Sequence, residues 1–463
     1  MDEFEFRALV GLDWGDTSHE VALWDEQRQT RTSERIEHTP AALHAWVEAL
    51  HARFGGMPVA VAIEQSRGAV FDALSGYPFV TLYPINPRSA ARYREAFHPS
   101  HSKDDPTDAA SLLELLRKHR NELRPFVPDD ACTRLLRLLT EDRRALVDQR
   151  TQHVQRLTDR LKTYYPQALR WAGALSTTQA CDFLERWPTL QAIQTARPSA
   201  IRAFYQRHHR PAEWIDQRLA QIRAEVAFHH DPVITATAVL LIESEVAQIR
   251  ALNASIAKYD ETLSSAFATH EDAPIFASFP GAGEQLAPRL AAAFGTDRTR
   301  FESAVSVATR SGIAPVLRRS GKTATVQMRW ACPKFLRQTF HEYARVSIAQ
   351  SAWARAFYNQ QRARGHRHHQ AIRTLAYRWI RILKSLTTKL AIGSSSLYEA
   401  HTSPRLPIDL TGRQAPSSSP TADPRSPAAS MARSARCGRE SSPRRPTLRT
   451  CGSTPVRTES MTA

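Results

Sequence analysis

The sequence predicts an α/β domain at the amino terminus, a segment of long helices in the middle and a mostly α-helical carboxyl-terminal unit. Apolar runs of strand length alternate with a helical pattern in residues 1–125. Apolar residues then recur at helical spacing through residues 126–270, and a second compact, mostly helical pattern covers residues 271–395. Residues 396–463 are rich in Ser, Pro, Thr and Arg, and we expect this basic tail to be disordered because it has few apolar residues to bury.

The elements of the first domain follow from the spacing of its apolar residues. Predicted strands cover residues 6–13, 19–25, 31–38, 57–64 and 79–83. Residues 40–54 have the spacing of a helix, because Leu43, Trp46 and Leu50 fall on one side of it. Strands that alternate with helices indicate a partly parallel sheet.

Two long helices are predicted in the middle segment, at about residues 131–165 and 234–267. An apolar residue recurs every seven positions in the second of them, at Ile242, Ile249, Ile256 and Leu263. This is the spacing of a coiled coil, and since the two helices flank a less regular piece, we interpret them as an antiparallel spacer that can also dimerise. An ordinary helical bundle explains the same spacing, and the sequence leaves both interpretations open.

Four acidic residues of the first domain are candidate metal ligands. Asp13 and Glu64 each stand at the carboxyl end of a predicted strand, where open α/β sheets place their ligands. Asp105 and Asp108 lie three residues apart at the start of a helix and share one of its faces. Taken singly, Asp13 could cap a turn, Asp105 could cap a helix and Glu64 could be a surface charge. Together they predict a site for Mg²⁺ or Mn²⁺, since converging carboxylates need a hard cation between them.

A glycine-containing loop in the carboxyl-terminal unit, RSGIAPVLRRSGK, carries Ser320 beside Arg318, Arg319 and Lys322. Neighbouring cations can stabilise the charge that develops on a phosphate during transfer, and a serine can then act as the nucleophile. From the residues alone, a turn or a phosphate contact is the more frequent role of such a loop.

Other segments of this unit are candidates for contact with nucleic acid. Gly281 and Gly283 precede a predicted helix and would let the backbone approach a phosphate, although an ordinary tight turn explains them equally well. In the last predicted helix, Arg373 and Arg378 are candidate phosphate contacts. Tyr377 and Trp379 interleave with its basic residues, a pattern that suits a helix along a phosphate backbone. Three nearby histidines fit contact with nucleic acid better than a metal site, since no Cys or acid stands at ligand spacing: His366, His368 and His369.

Composition limits the function class and the location of the protein. The chain of 463 residues has a formal net charge of +16, which favours a nucleic-acid partner. Its five cysteines form no CxxC pair, which argues against a zinc ribbon, and their odd number and wide spacing suit a reducing compartment. The acidic amino terminus does not fit a signal peptide, and no apolar run reaches the roughly 20 residues that span a bilayer. We therefore expect a cytosolic protein without a membrane partner.

Several motifs resemble those of the DEDD-type insertion-sequence transposases, relatives of the Piv site-specific DNA invertases. They are VGLDWGDTSHEVAL, VAIEQSRG, LYPINPRSAARYREAFHPSHSKDDPTDA, PGAG and SGIAPVLRRSGK, and the resemblance covers about residues 7–395. The Lys-x-Asp-x-x-Asp-Ala signature is the most specific of them. Residues 104–107 depart from the family pattern, which more often has Thr first and no Pro. Asp104 is therefore an extra acid, and Asp105 is chosen as the ligand for its spacing to Asp108.

The resemblance implies a fold, a chemistry and partners. The first domain would be RNase H-like (RuvC-like), and its four carboxylates would bind Mg²⁺ or Mn²⁺. Ser320 would be the nucleophile that attacks DNA, and Ser311 is a rival that fits the family pattern less well. A noncoding RNA from the same element would guide the choice of double-stranded DNA. We expect a bacterial, nucleoid-associated cytoplasmic protein that forms a homodimer or homotetramer.

Two other functions are compatible with the residues. A metal-dependent, structure-specific nuclease such as a junction resolvase would use the carboxylates alone, with Ser320 only holding phosphate. A noncatalytic DNA- or RNA-binding scaffold would need neither group. Substitution of Ser320 separates the first alternative from a recombinase, and substitution of Asp13 and Asp108 separates the second.

Overall fold

The computed structural model describes residues 6–97, 105–228, 230–321 and 323–390, without the side chains of residues 105 and 388–390. All described residues belong to one compact unit that spans Met1–Pro404. Lys322, Asp104, the side chain of Asp105 and the tail at 396–463 lie outside the described residues, so the expectations for them stay predictions.

A mixed five-stranded sheet forms the amino-terminal region. Its strands are β1 (Ala8–Asp13), β2 (Ser18–Asp25), β3 (Thr30–Glu37), β4 (Val59–Ile63) and β5 (Val80–Pro84). Their order is β3-β2-β1-β4-β5. Strands β1, β4 and β5 are parallel, whereas β2 is antiparallel to both β1 and β3. The predicted α/β class with a partly parallel sheet is confirmed.

Helices cover both faces of this sheet, which explains why β1 and β4 are apolar nearly throughout. The helices of this region are α1 (Pro40–Arg53), α2 (Ala69–Leu74), α3 (Pro87–Phe97) and α4 (Asp105–His119). α1 begins at Pro40, where the Thr39 hydroxyl caps it by accepting a hydrogen bond from the backbone of Ala42, and it buries Trp46 and Leu50 against one face. α4 buries its leucines against the opposite face.

α4 lies directly on β1 because the sheet carries a row of very small residues beneath it. Gly11 of β1 pairs with Ala22 of β2 and Ala62 of β4. A Cβ atom built on Gly11 would stand 2.1 Å from the carbonyl oxygen of Ala109 and 2.4 Å from the backbone nitrogen of Leu113. Only glycine allows this approach of helix and strand, which places the start of α4 over the end of β1.

The middle segment is a long helical hairpin with short helices at one end. Its elements are α5 (Ala131–Tyr164), α6 (Ala168–Trp171), α7 (Thr178–Arg186), α8 (Leu190–Gln194), α9 (Pro198–Arg207), α10 (Ala212–Ala224) and α11 (Pro232–Ala268). The piece predicted to be less regular thus consists of five short helices. Two of them are capped by threonine side chains, from Thr177 and Thr189.

Helices α5 and α11 run antiparallel and face each other over most of their length. Arg143 binds both carboxylate oxygens of Asp260, at 2.5 and 3.1 Å, whereas His153 contacts Glu245 at 2.6 Å. All four apolar residues at seven-residue spacing are buried: Ile242, Ile249, Ile256 and Leu263. Among the described residues, α11 alone is long and apolar enough to span a membrane by length and composition.

The carboxyl-terminal unit is a helical core with one exposed hairpin. Its elements are α12 (Ala273–Ala277), α13 (Gly283–Phe294), α14 (Ala304–Arg310), β6 (Val316–Ser320), β7 (Thr323–Gln327), α15 (Lys334–Gln350), α16 (Ala352–Ala363) and α17 (His368–Leu390). The loop predicted around Ser320 is instead an antiparallel hairpin, in which Ser320 pairs with Thr323 across a two-residue turn. Gly321 supplies a positive φ of 54° at that turn.

Candidate active site

A cavity of about 410 Å³ opens at the edge of the sheet where β1 and β4 end. Four carboxylates line it: Asp13, Glu20, Glu64 and Asp108. Asp13 pairs with Glu20 across β1 and β2. Glu64 directly follows β4, whose last residue pairs with the residue before Asp13. Since side chains alternate along a strand, these three carboxylates share the face on which α4 lies, and Asp108 reaches them from the first turn of α4.

The turn after Asp13 is held by a pair of histidines, His19 and His38. The backbone N–H of Gly15 donates to Nδ1 of His19 at 3.3 Å, which leaves the other nitrogen of that ring to carry the proton. That N–H then donates to Nδ1 of His38 at 3.0 Å. His19 is buried, and burial lowers its pKa below the ordinary value of 6.5, with a further lowering by His38.

We expect the His19 pair to make folding stability fall in mild acid. Above its ordinary pKa, His19 is neutral in both states and the stability is fully present. As pH falls through that value, the unfolded chain takes up a proton that folded His19 resists, so the free energy of unfolding decreases. His19→Asn keeps an acceptor for the Gly15 N–H but cannot titrate. Thermal unfolding at about pH 7.5 and about pH 5.5 should show a smaller loss in His19→Asn than in the wild type; equal losses would contradict this assignment.

Arg94 of α3 reaches into the cavity and pairs with Asp108 of α4. Its Nη1 donates to Oδ1 of Asp108, whose side chain is only 7 % exposed. This hydrogen bond, followed by the charges of Asp108, Glu64 and Glu95, raises the pKa of Arg94 above its ordinary value. The guanidinium therefore neutralises part of the carboxylate cluster.

The donor set of the cavity suits a hard divalent cation, because its acidic side chains offer only oxygen. Within the described part of the chain, no three histidine, cysteine or acidic side chains converge closely enough to hold a metal ion as they stand. Asp13, Glu64 and Asp108 would be the ligands, and Asp105 stays a predicted fourth whose side chain lies outside the description.

The second predicted chemical group, Ser320, stands at the tip of an exposed hairpin. Along β6 the side chains alternate, so Arg318 and Ser320 share one face and Arg319 lies on the other. All three residues are exposed. No hairpin residue is among the described residues that line the carboxylate cavity. The chain therefore presents a serine with an arginine beside it, separate from the acidic site.

Ser311, the rival serine, is fully buried at the end of α14. Its hydroxyl donates to the carbonyl oxygen of Ala308 at 3.2 Å. A buried hydroxyl with this backbone partner cannot reach a DNA phosphate. Its role is to help end the helix.

Two segments of the chain, which contain the carboxylate cavity and the Ser320 hairpin, match known protein families. Residues 10–166 match a DEDD-type family of the IS110 group described as transposase, and residues 273–359 match the family described as "Transposase IS116/IS110/IS902 family". A similar protein of Streptomyces coelicolor, the "Mini-circle putative transposase for IS117", is 30 % identical over 393 residues, which cover 82 % of this chain and 94 % of the relative. The chain belongs to the IS110 family of insertion-sequence transposases.

Other relatives of this transposase extend over the same length. An IS900 protein of Mycobacterium paratuberculosis is 28 % identical, with 83 % of this chain and 96 % of the relative covered. An IS110 protein of Streptomyces coelicolor is 25 % identical, with 82 % and 94 % covered. The resemblance to DEDD-type transposases stated from the motifs is therefore confirmed, and with it the assignment of the chain as a transposase.

Glu20 and its partner Arg35 belong to the cavity region of this transposase but were missed from the sequence. Glu20 is nearly buried beside Asp13, and Arg35, its partner on β3, binds it by an ion pair. Arg35 is itself 67 % exposed. The alternation of HEVALWD could have placed Glu20 on the face of Asp13, once β2 was taken as the antiparallel partner of β1.

The other candidate phosphate contacts fare differently. Gly281 has φ of 79° and packs against Gln350, where a Cβ atom would come within 3.2 Å, so it has a structural role in a turn. Gly283 starts α13 with open space beside it. Arg373 contacts the sulfur of Met328 at 3.4 Å, and Arg378 lies 5.5 Å above the ring of Phe357.

Trp379 does not lie on a surface that could face nucleic acid, contrary to the interpretation of the interleaved aromatic residues. Trp379 is fully buried in the core of the carboxyl-terminal unit, and its indole N–H donates to the Ser347 hydroxyl at 2.8 Å. Of the three histidines, His368 accepts or donates a hydrogen bond with the Tyr358 hydroxyl at 2.8 Å, and His369 stacks near His341. An aromatic residue in a basic helix can pack in a protein core or stack on a nucleic-acid base. Here Trp379 packs in the core, against α15.

Proposed function

We propose that this transposase cuts and rejoins double-stranded DNA by phosphoryl transfer, with an RNase H-like (RuvC-like) carboxylate site that holds Mg²⁺ or Mn²⁺ and with Ser320 as the nucleophile. The observation that carries the proposal is the cavity at the ends of β1 and β4, which Asp13, Glu64 and Asp108 all line. The mixed sheet with helices on both faces supports the RNase H-like assignment.

In this proposal each group has one task. The Ser320 oxygen attacks phosphorus and gives its hydroxyl proton to water, and a serine–phosphate bond forms. The DNA phosphate–oxygen bond breaks, and the leaving oxygen takes a proton from water to become a free hydroxyl end. Arg318, on the same face as Ser320, stabilises the added negative charge. A divalent cation held by the carboxylates would supply Lewis-acid stabilisation of the phosphate and of the leaving oxygen. Reversal of the same step on another end rejoins the strands.

The separation of the two groups within one chain points to an assembly. Ser320 stands on a hairpin that does not line the cavity of its own chain. We propose that a homodimer or homotetramer brings the hairpin of one copy to the cavity of another. The antiparallel helices α5 and α11 would act as the spacer, and their outer faces as a dimerisation surface.

The proposal includes a noncoding RNA as guide and the bacterial nucleoid as the place of action. The net charge of +16 permits binding of an RNA as well as DNA, and exposed arginines such as Arg318 and Arg319 are suited to phosphate. Gly283, Arg373, Arg378 and Lys322 remain proposed contacts in this scheme.

Asp13→Asn tests the metal site, because it removes a charge from the cavity with little change in shape. We expect Mn²⁺ binding, measured by titration calorimetry, to weaken at least about tenfold, and strand transfer to be lost with it. Asp16→Asn is the matched control, since Asp16 is exposed three residues away and does not line the cavity. Unchanged Mn²⁺ binding and strand transfer in Asp13→Asn would refute the proposed metal site.

A further inference from the structure

The feature that the proposed chemistry leaves unexplained is the arginine inside the acidic cavity. Arg94 lines the cavity, and its side chain is 23 % exposed. Its guanidinium donates a hydrogen bond to Asp108, a proposed metal ligand. Asp108 itself is almost fully buried. A buried carboxylate needs a partner cation, and without a metal ion the guanidinium is that cation.

We propose that Arg94 is a resident counter-cation, which holds Asp108 in the metal-free protein, yields it to the divalent ion and then binds the DNA phosphate in the cavity. This inference rests on the proposed metal site. It assigns a positioning role to an arginine that was not among the predicted site residues.

The displacement follows from charge. If a divalent cation took Asp108 while Arg94 stayed in place, two positive groups would share one carboxylate and repel each other at close range. The metal must therefore compete with the guanidinium, and its affinity is lowered by the strength of the ion pair. The neighbouring Glu64 offers no permanent alternative, because it is itself a proposed ligand.

The proposed binding of DNA phosphate by Arg94 follows from the position of its guanidinium after it leaves Asp108. Arg94 is anchored on α3, so its side chain remains at the cavity wall after it leaves Asp108. A planar guanidinium binds phosphate oxygens through two parallel hydrogen bonds, and a phosphate held by the metal would bring such oxygens into the cavity. Metal binding and DNA binding are thereby coupled through one side chain.

The experiment compares Arg94→Gln with Arg92→Gln in the full-length protein. Arg92 lies on the same helix, is exposed and makes the same charge change without touching the cavity. By titration calorimetry with MnCl₂ and no DNA, we expect Arg94→Gln to bind Mn²⁺ about tenfold more tightly than the wild type, and Arg92→Gln to match the wild type. Binding of a labelled duplex, followed by fluorescence anisotropy, should strengthen on addition of Ca²⁺ in the wild type but much less in Arg94→Gln.

The outcomes separate this inference from the proposed function. Unchanged or weaker Mn²⁺ binding in Arg94→Gln, while Asp13→Asn loses Mn²⁺, makes the pair a permanent clamp between α3 and α4 and overturns the inference alone. Absence of Mn²⁺ binding in the wild type and all variants overturns the proposed metal site instead. An equal effect of Ca²⁺ on duplex binding in wild type and Arg94→Gln overturns the phosphate role.

A second variant covers the case in which Arg94→Gln folds poorly. Arg94→Lys keeps a cation but loses the planar fork, and we expect Mn²⁺ affinity between those of the wild type and the glutamine variant. Added Mn²⁺ should also raise the melting temperature of Arg94→Lys more than that of the wild type, because Asp108 is less well paired before the ion binds. Equal Mn²⁺ affinity and an equal rise in both proteins would overturn the inference.

Discussion

Ser320→Ala is expected to abolish strand transfer and the covalent protein–DNA product while leaving Mn²⁺ binding intact. Removal of an attacking oxygen leaves no group that can take its place, so activity should fall by about 10³-fold or more. The hairpin should keep its form, since Ser320 is exposed and the turn depends on the backbone and on Gly321. Denaturing gels after incubation with labelled element ends would measure the covalent product directly.

The hairpin supplies its own matched control. Arg318 shares the face of Ser320, whereas Arg319 points the opposite way on the same strand. Arg318→Ala should therefore reduce strand transfer much more than Arg319→Ala, although each removes one exposed positive charge. Equal losses would show that the hairpin contributes only general charge to DNA binding.

A contrary outcome for Ser320 has a definite meaning. Near-normal cleavage by Ser320→Ala, with cleavage lost in Asp13→Asn, would assign the chemistry to the carboxylates alone. The chain would then act as a metal-dependent nuclease of the resolvase kind, with water as the nucleophile and the hairpin holding phosphate. This comparison is necessary because no described residue of the hairpin lines the carboxylate cavity of its own chain.

The sequence predicted those parts of the site that depend on local pattern. Asp13 and Glu64 could be placed because buried strands have an apolar pattern and their carboxyl ends share one edge of a parallel sheet. Asp108 could be placed by its helical spacing. Glu20 was missed because it lies near the amino end of β2, whereas the predicted ligands lie at the carboxyl ends of strands. Only the antiparallel pairing of β2 with β1 brings Glu20 beside Asp13.

The parts that were missed depend on tertiary contacts or on weak pattern. Arg94 shares its helix with other arginines, and only the packing of α3 beside α4 selects it. The β6–β7 hairpin is exposed over nearly its whole length, so it has no buried apolar face, and its first strand, VLRRS, shows no alternation of apolar and polar residues. Trp379 was misjudged because the basic residues around it say nothing about which side of α17 meets the core.

Gly11→Ala is expected to damage both the fold and the metal site through one methyl group. The new Cβ would stand 2.1 Å from a carbonyl oxygen of α4, a distance that real contacts never reach, so the helix must move away from β1. Overpacking of a buried core typically costs roughly 1–3 kcal/mol. Here the new Cβ would clash with backbone atoms of α4, so no flexible side chain can move aside to relieve the contact. We expect a clear fall in melting temperature.

The same displacement should weaken Mn²⁺ binding, because Asp108 precedes Ala109, the residue whose carbonyl meets the new methyl group. Gly76→Ala is the matched control: it is the same change in the same region, and its nearest neighbour is a carbonyl oxygen 3.3 Å away, which a small shift relieves. Wild-type melting temperature and Mn²⁺ affinity in Gly11→Ala would mean that α4 does not sit directly on β1. Asp108 would then be held over the sheet edge by something other than the small-residue row Ala22–Gly11–Ala62, and the geometry of the carboxylate cavity would lose its main structural cause.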